Sequence, residues 1–348
     1  MKKWITISFL ITGIFIVTLL AESCRKKDDF KYNPTLLNQE IPDGFPQPHY
    51  KFEGNTLTKE GFELGRKLFY DGRLSLDGNF PCASCHHQIA AFGTYDHNLS
   101  HGYNNSHTLR NAPVLSNLAW QKELHHDGAF NSIESQPISH ITSPIEMAET
   151  MEHVITKLQS DAKYKTMFLA AFGDENINSQ KMLKALAQFT GSMVSADSKY
   201  DRMKKGLATF NQYEQRGYIL FQAKCTGCHA EPLFTDFSYR NIGLPIDPFL
   251  QDFGRMRITN NRNDSLKFKV PTLRNVNVSY PYMHDGRFVS LQQCVNHYRT
   301  GIQQSSTLDP SLTSGIPFTN AEVIDIVEFL RTLTDSTFII DKRFSQPQ

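Results

Sequence analysis

Spare cysteine is scarce in this chain of 348 residues: of six, four fall in two Cys-x-x-Cys-His stretches and Cys24 follows an apolar leader. Only Cys294 is left over, which excludes an intramolecular disulfide framework. An excess of charge of either sign is also missing. The formal net charge is +1, which leaves no electrostatic footprint for nucleic acid. Strand-like alternation is scarce, so a sheet-built fold is not expected. What is present is globular: 40% hydrophobic and 11% aromatic residues, enough for about two domains.

The amino terminus reads as an export segment. Met1–Lys3 is basic and Ile5–Ala21 is apolar with a few Thr, Ser and Gly, the pattern of a secretory signal. The apolar stretch is long for a signal and just long enough for a membrane span, so an uncleaved anchor helix is the competing reading. Cys24 stands where a bacterial lipoprotein carries its lipidated cysteine, although Glu22 departs from the small residues usual there. The expected division is a signal peptide over 1–23 and a lipid-anchored tether over 24–48, polar and Pro-containing. Either reading puts the remainder in the periplasm or cell envelope, held at a membrane.

The chemistry is written in Cys82-Ala83-Ser84-Cys85-His86 and again in Cys225-Thr226-Gly227-Cys228-His229. Cys-x-x-Cys-His is the attachment signal for a c-type haem. The thiols add to the porphyrin vinyl groups, and the histidine becomes the proximal iron ligand. A thioredoxin-like redox pair or a shared four-cysteine zinc site would explain the thiols. Neither explains a His directly after each pair.

Other elements recur in the same order. Gly65-Arg66-Lys67-Leu68-Phe69 pairs with Gly217-Tyr218-Ile219-Leu220-Phe221, and Leu109-Arg110-Asn111 with Leu273-Arg274-Asn275. His126-Asp127-Gly128 pairs with His284-Asp285-Gly286. This predicts a mainly α fold of two cytochrome c-like haem domains related by an internal repeat, over 49–199 and 200–348. Helical spacing links Leu183, Leu186, Phe189 and Met193, and also Val323, Ile326, Val327 and Leu330 behind Asn320 as N-cap. Leu291, Cys294, Val295 and Tyr298 share one face of a helix that Ser290 caps and Gly301 ends.

From Thr58 to Leu333 the sequence resembles the bacterial di-haem cytochrome c peroxidase family, including its MauG-type members. The resemblance rests on Leu64–Asp71, both haem motifs, Leu109–Pro113, Pro144-Ile145-Glu146-Met147, Pro232–Thr235, Val270–Asn275 and Tyr282–Phe288. It implies that the first haem reacts with hydrogen peroxide while the second relays electrons from a small cytochrome c or cupredoxin. It implies Glu146 as distal acid/base, with Gln136 ten residues earlier as the distal glutamine. A bland reading of Glu146 is a helix-start carboxylate. The resemblance also makes His101 the displaceable sixth ligand, with Gly102 freeing the backbone to move. A calcium ion between the domains would take Asn111, Ser279 and Pro281. A homodimer is the expected assembly.

Two positions depart from the family. His126 stands where the family places a tryptophan between the haems; it serves the relay or belongs to the His-Asp-Gly turn. Tyr298 stands where the electron-relaying members place a methionine ligand and where MauG-type enzymes also carry Tyr. It ligates the second iron or is a packed core tyrosine, with His297 and Met283 as lesser ligand candidates. Three functions follow: a peroxidase, a MauG-like oxidase of a protein or organic substrate, and a non-catalytic di-haem electron carrier.

Overall fold

The computed structural model describes residues 31–348, so the signal segment and Cys24 lie outside the described residues. Compact packing runs from Pro34 to Gln348. The architecture is mainly helical. In chain order the α-helices are α1 Lys59–Phe69, α2 Pro137–Ile141, α3 Met151–Gln159, α4 Ala162–Phe172, α5 Ser179–Gly191, α6 Lys199–Lys204, α7 Gln212–Lys224, α8 Met256–Thr259, α9 Leu291–Asn296, α10 Asn320–Arg331 and α11 Ser336–Ile339. The named strands among the described residues are β1 Tyr239–Arg240 and β2 Phe268–Lys269, an antiparallel pair with Tyr239 opposite Lys269.

Side-chain caps set the helix starts. Thr58 accepts from the Gly61 amide ahead of α1. Asn211 with Glu214, and Ser290 with Gln293, form capping boxes ahead of α7 and α9. Helix α10 corrects the expectation by one residue: Thr319, boxed with Glu322, is its cap and Asn320 is the first helical position. Helix α9 ends at Asn296 and gives way to a wider π-type turn over His297–Gly301.

Two large apolar clusters dominate the core, with two smaller ones around Leu118 and Trp120. The first gathers Phe62, Leu64, Leu68 and Phe69 of α1 with Leu183, Leu186 and Phe189 of α5. The second gathers Tyr218 and Phe221 of α7 with Val323, Ile326, Val327, Phe329 and Leu330 of α10. Burial of one such side chain contributes about 1.5–3 kcal/mol. The chain passes from one cluster to the other between Met193 and Tyr200. It then returns at its end, where Phe338 and Phe344 pack into the first cluster.

The helix pairs cross in the same way. A Cβ on Gly65 would sit 1.9 Å from the Ala185 carbonyl oxygen, and one on Gly217 would sit 1.9 Å from that of Asp325. Only glycine lets these backbones approach so closely. Each His-Asp-Gly turn is closed by one bridge, Leu124 to Phe130 and Tyr282 to Phe288.

A third expected correspondence shifts register. Asn275 has left-handed backbone, φ 61°, and leads a short 3-10 turn at Val276–Val278. Its geometric counterpart is Asn117, φ 58°, leading the turn Leu118–Trp120. Leu115–Asn117 therefore takes the place that sequence comparison gave to Leu109–Asn111. The Arg-Asn pair is short enough to match by coincidence, whereas the left-handed step is fixed by the backbone.

The segment expected as a tether is docked over part of its length. Thr35 donates to Glu60 through its backbone amide and its hydroxyl. Phe45 packs edge-on against Trp120, whose indole N–H donates to the Pro46 carbonyl at 2.7 Å.

Candidate functional site

Between the clusters runs a cavity of about 910 Å³, lined by Cys82, Cys85 and His86 from the first motif and by Cys225, Cys228 and His229 from the second. Neither cysteine pair is oxidised to a disulfide. Burial and the neighbouring thiol push Cys82 and Cys225 up to about 12, which keeps both as thiols. Each histidine is oriented by a backbone carbonyl: His86 Nδ1 donates to Phe92 at 2.7 Å and His229 Nδ1 to Phe234 at 3.0 Å. This fixes the tautomer that leaves Nε2 bare for a metal. Burial pushes His86 down to about 4, holding it in the neutral, ligating form.

The cavity wall supplies positive charge as well. Lys269 donates to Gln121 Oε1 at 2.6 Å and to the Glu123 carbonyl at 2.7 Å. Both are neutral oxygens, and burial pushes the ammonium down to about 8. A buried cation so placed is suited to a carboxylate-bearing cofactor. Paired thiols, two oriented imidazoles and this cation fit two haems with their propionates.

The expected acid/base residues meet on the same wall. Glu146, Gln136, His140 and His125 all line the cavity. The Gln136 amide nitrogen lies 2.9 Å from His125 Nε2 and 2.7 Å from His140 Nε2. His140 Nδ1 in turn contacts Glu146 Oε2. Glu146 sits in the turn that follows Ser143, whose carbonyl accepts its amide, while the next helix, α3, is capped by Thr150. It is therefore not a helix-start carboxylate. Sequence reading missed His140 and His125. The signal for His140 was available: it follows Gln136 by four residues at the start of α2, which puts both side chains on one face.

Residues 59–209 match the family profile for di-haem cytochrome c peroxidase. The methylamine utilization protein MauG of Methylorubrum extorquens is 34% identical over 301 residues, 84% of this chain and 82% of that protein. The cytochrome c551 peroxidase of Nitrosomonas europaea is 35% identical over 276 residues, 78% of this chain and 79% of the other. The chain belongs to the di-haem cytochrome c peroxidase family. It is accordingly an oxidoreductase, and the family implies two haems. Among solved structures, a MauG-like protein associated with microbial copper homeostasis superposes with a TM-score of 0.81 at 31% identity, covering 89% of this chain and 99% of that one.

In this di-haem peroxidase the remaining expected residues are placed as follows. Tyr298 lines the cavity, and burial, followed by the nearby Cys294, Cys225 and Cys228 thiols, pushes its hydroxyl well above the ordinary range. That hydroxyl makes no hydrogen bond to any described residue. His297 is buried and its Nε2 donates to the Ile242 carbonyl at 2.8 Å, so that ring is already committed. Met283 lies on the cavity wall.

His101 also lines the cavity, with its ring near those of His97 and His107. Gly102 is extended, φ −133°, and buried: a Cβ there would sit 2.1 Å from the Ile145 carbonyl. Close packing on the Glu146 loop, not a turn conformation, is what requires glycine there. The neighbouring Tyr103 amide donates to the Glu146 carbonyl at 2.7 Å.

His126 lines the cavity as well. Its Nε2 donates to the Asn111 carbonyl at 2.9 Å, and its carbonyl accepts from the Lys269 amide at 2.7 Å. Asn111, Ser279 and Pro281 line the same cavity.

Proposed function

We propose that this di-haem peroxidase reduces hydrogen peroxide to water at the haem held by Cys82, Cys85 and His86. A small cytochrome c or cupredoxin would deliver electrons through the haem held by Cys225, Cys228 and His229. The two haem-bearing halves, 49–199 and 200–348, are read as a repeat on the strength of the matching helix crossings and His-Asp-Gly turns. The observation that carries the reading is the Glu146 carboxylate on the cavity wall beside the first motif, bonded to His140. An electron carrier needs no such polar group there.

When bound, the haem supplies the iron that takes up peroxide and the electrons that split its O–O bond. Glu146 receives the proton from the inner peroxide oxygen and returns it to the outer one, which leaves as water. Gln136 fixes the polar edge of the pocket. Lys269 would balance the propionate charge, and His86 and His229 would hold the irons. Two electrons and two protons turn one peroxide into two waters. Replacement Glu146→Gln should retain both haems and slow peroxide cleavage by about 10²–10⁴-fold in stopped flow. An unchanged rate overturns the assignment.

One observation favours a second reading, MauG-like oxidation of a protein or organic substrate. The Tyr298 hydroxyl faces the second haem site without a protein partner, as a ligand in waiting would. A phenolate lowers a haem potential where a thioether raises it, and so favours oxidised iron. His101 would act as the displaceable ligand of the first iron. Calcium rests on less: the Asn111 amide nitrogen donates to the Asn98 carbonyl at 3.0 Å, leaving its oxygen for a cation, and Ser279 and Pro281 line the same cavity. Placement in the cell envelope, anchored through Cys24, rests on the apolar leader alone.

A further inference from the structure

The four side chains on the distal wall are bonded in series, and the series has a direction. An amide nitrogen carries two hydrogens and no acceptor. Gln136 Nε2 lies within hydrogen-bond distance of Nε2 on both His125, at 2.9 Å, and His140, at 2.7 Å. Both imidazoles must therefore accept there, and both carry their proton on Nδ1. Burial agrees for His125, pushing it down to about 3 and keeping it neutral. The His140 proton then points at Glu146 Oε2. The reverse assignment, with the amide oxygen between two N–H groups, would set a bare Nδ1 against a carboxylate oxygen. That contact is repulsive unless another proton is added.

We propose that His140 is a positioning residue for Glu146: locked as the Nδ1–H tautomer by Gln136, which His125 braces, it donates to one carboxylate oxygen and leaves the other to take the substrate proton. This rests on the reading of Glu146 as the acid/base. The donor occupies one carboxylate oxygen and fixes the rotation of a side chain carried on a turn rather than on a helix. The proton balance is unchanged by His140, which keeps its own proton throughout. The peroxide proton moves only between the inner peroxide oxygen, the free Glu146 oxygen and the outer peroxide oxygen.

Three substitutions separate donor from bulk. In His140→Asn the amide nitrogen takes the place of Nδ1, keeping the bond to Glu146. In His140→Gln the amide oxygen takes the place of Nε2 and accepts from Gln136, keeping that contact only. His140→Leu keeps neither. Holoenzymes with full haem content are compared in two stopped-flow measurements, peroxide reaction and cyanide association with the first haem. Cyanide arrives as HCN and must surrender its proton as its carbon binds, so it reports the base without O–O cleavage or turnover.

His140→Leu and His140→Gln should slow both by about 10–100-fold, the usual cost of losing an orienting partner. His140→Asn should restore most of the loss. Equal rates for the Asn and Gln variants overturn the proposal, and that comparison stands even if the Leu variant does not fold. Unchanged rates in all three, with Glu146→Gln still slow, overturn it while leaving the acid/base reading intact. If Glu146→Gln is also unchanged, the acid/base reading itself falls.

Discussion

At the scale of single residues, Tyr298 separates the two enzyme classes most directly. It follows Cys294 by four residues, at the point where α9 widens into the His297–Gly301 turn. The ring shares the cavity wall with Leu291, Cys294 and Val295, of which Leu291 and Val295 also belong to the second apolar cluster. The Tyr298 ring is half-buried, and its hydroxyl has no hydrogen-bond partner among the described residues. If the phenolate binds iron, Tyr298→Met raises the potential of the second haem. Tyr298→Phe then changes that haem's electron paramagnetic resonance spectrum by opening its sixth position. Identical spectra and potentials in wild type and Tyr298→Phe would return Tyr298 to a space-filling role.

At the scale of elements, the crossing of α7 on α10 places the second haem motif, because Cys225 follows directly from the end of that glycine-bearing helix, while the first motif follows α1 after the short turn Gly72–Leu74. A methyl group at Gly65 or Gly217 cannot be accommodated by rotating a side chain, since its nearest neighbour is a backbone oxygen at 1.9 Å. The helices must separate. Gly217→Ala should cost at least about 1–3 kcal/mol, the usual range for overpacking. It should also move Cys225 and Cys228 relative to the cavity. Thermal unfolding with haem quantitation checks both: a lowered midpoint and a reduced yield of the second haem are expected. Gly206→Ala is the control for a general loss of glycine, since a Cβ there meets nothing within 4 Å, with the strain of its φ of 72° to be allowed for.

At the scale of the whole molecule, the cofactors are part of the core. Clusters built on α1 with α5 and on α7 with α10 face a common cavity of about 910 Å³, and a void of that kind forfeits packing on its whole lining. Intact mass should exceed the processed polypeptide by two haems. Cys82→Ala with Cys85→Ala should remove one of them. The same variant should unfold at a lower temperature than the parent, because its first cluster then borders an unfilled space. A protein carrying zinc and no haem would overturn the assignment of both motifs.

Some of this was legible in the sequence because it is local. Haem attachment needs two thiols and an imidazole within five residues. Helix α9 needs its cap and its apolar face within one stretch, and both appeared where expected. Family membership was legible because several short motifs keep their order over most of the chain. The wall opposite His86 was less so. Gln136, Glu146 and His101 could be nominated only through the resemblance, and His140 and His125 were passed over. The neighbour of a loop side chain depends on which distant loop packs against it, as Tyr103 does on Glu146. The correspondence of Asn117 with Asn275 likewise needed backbone angles, not letters. Composition and spacing determined the cofactors and the helices. The tertiary structure decided which imidazole stands behind the carboxylate, because that choice follows from backbone approach and hydrogen-bond direction across segments far apart in the chain.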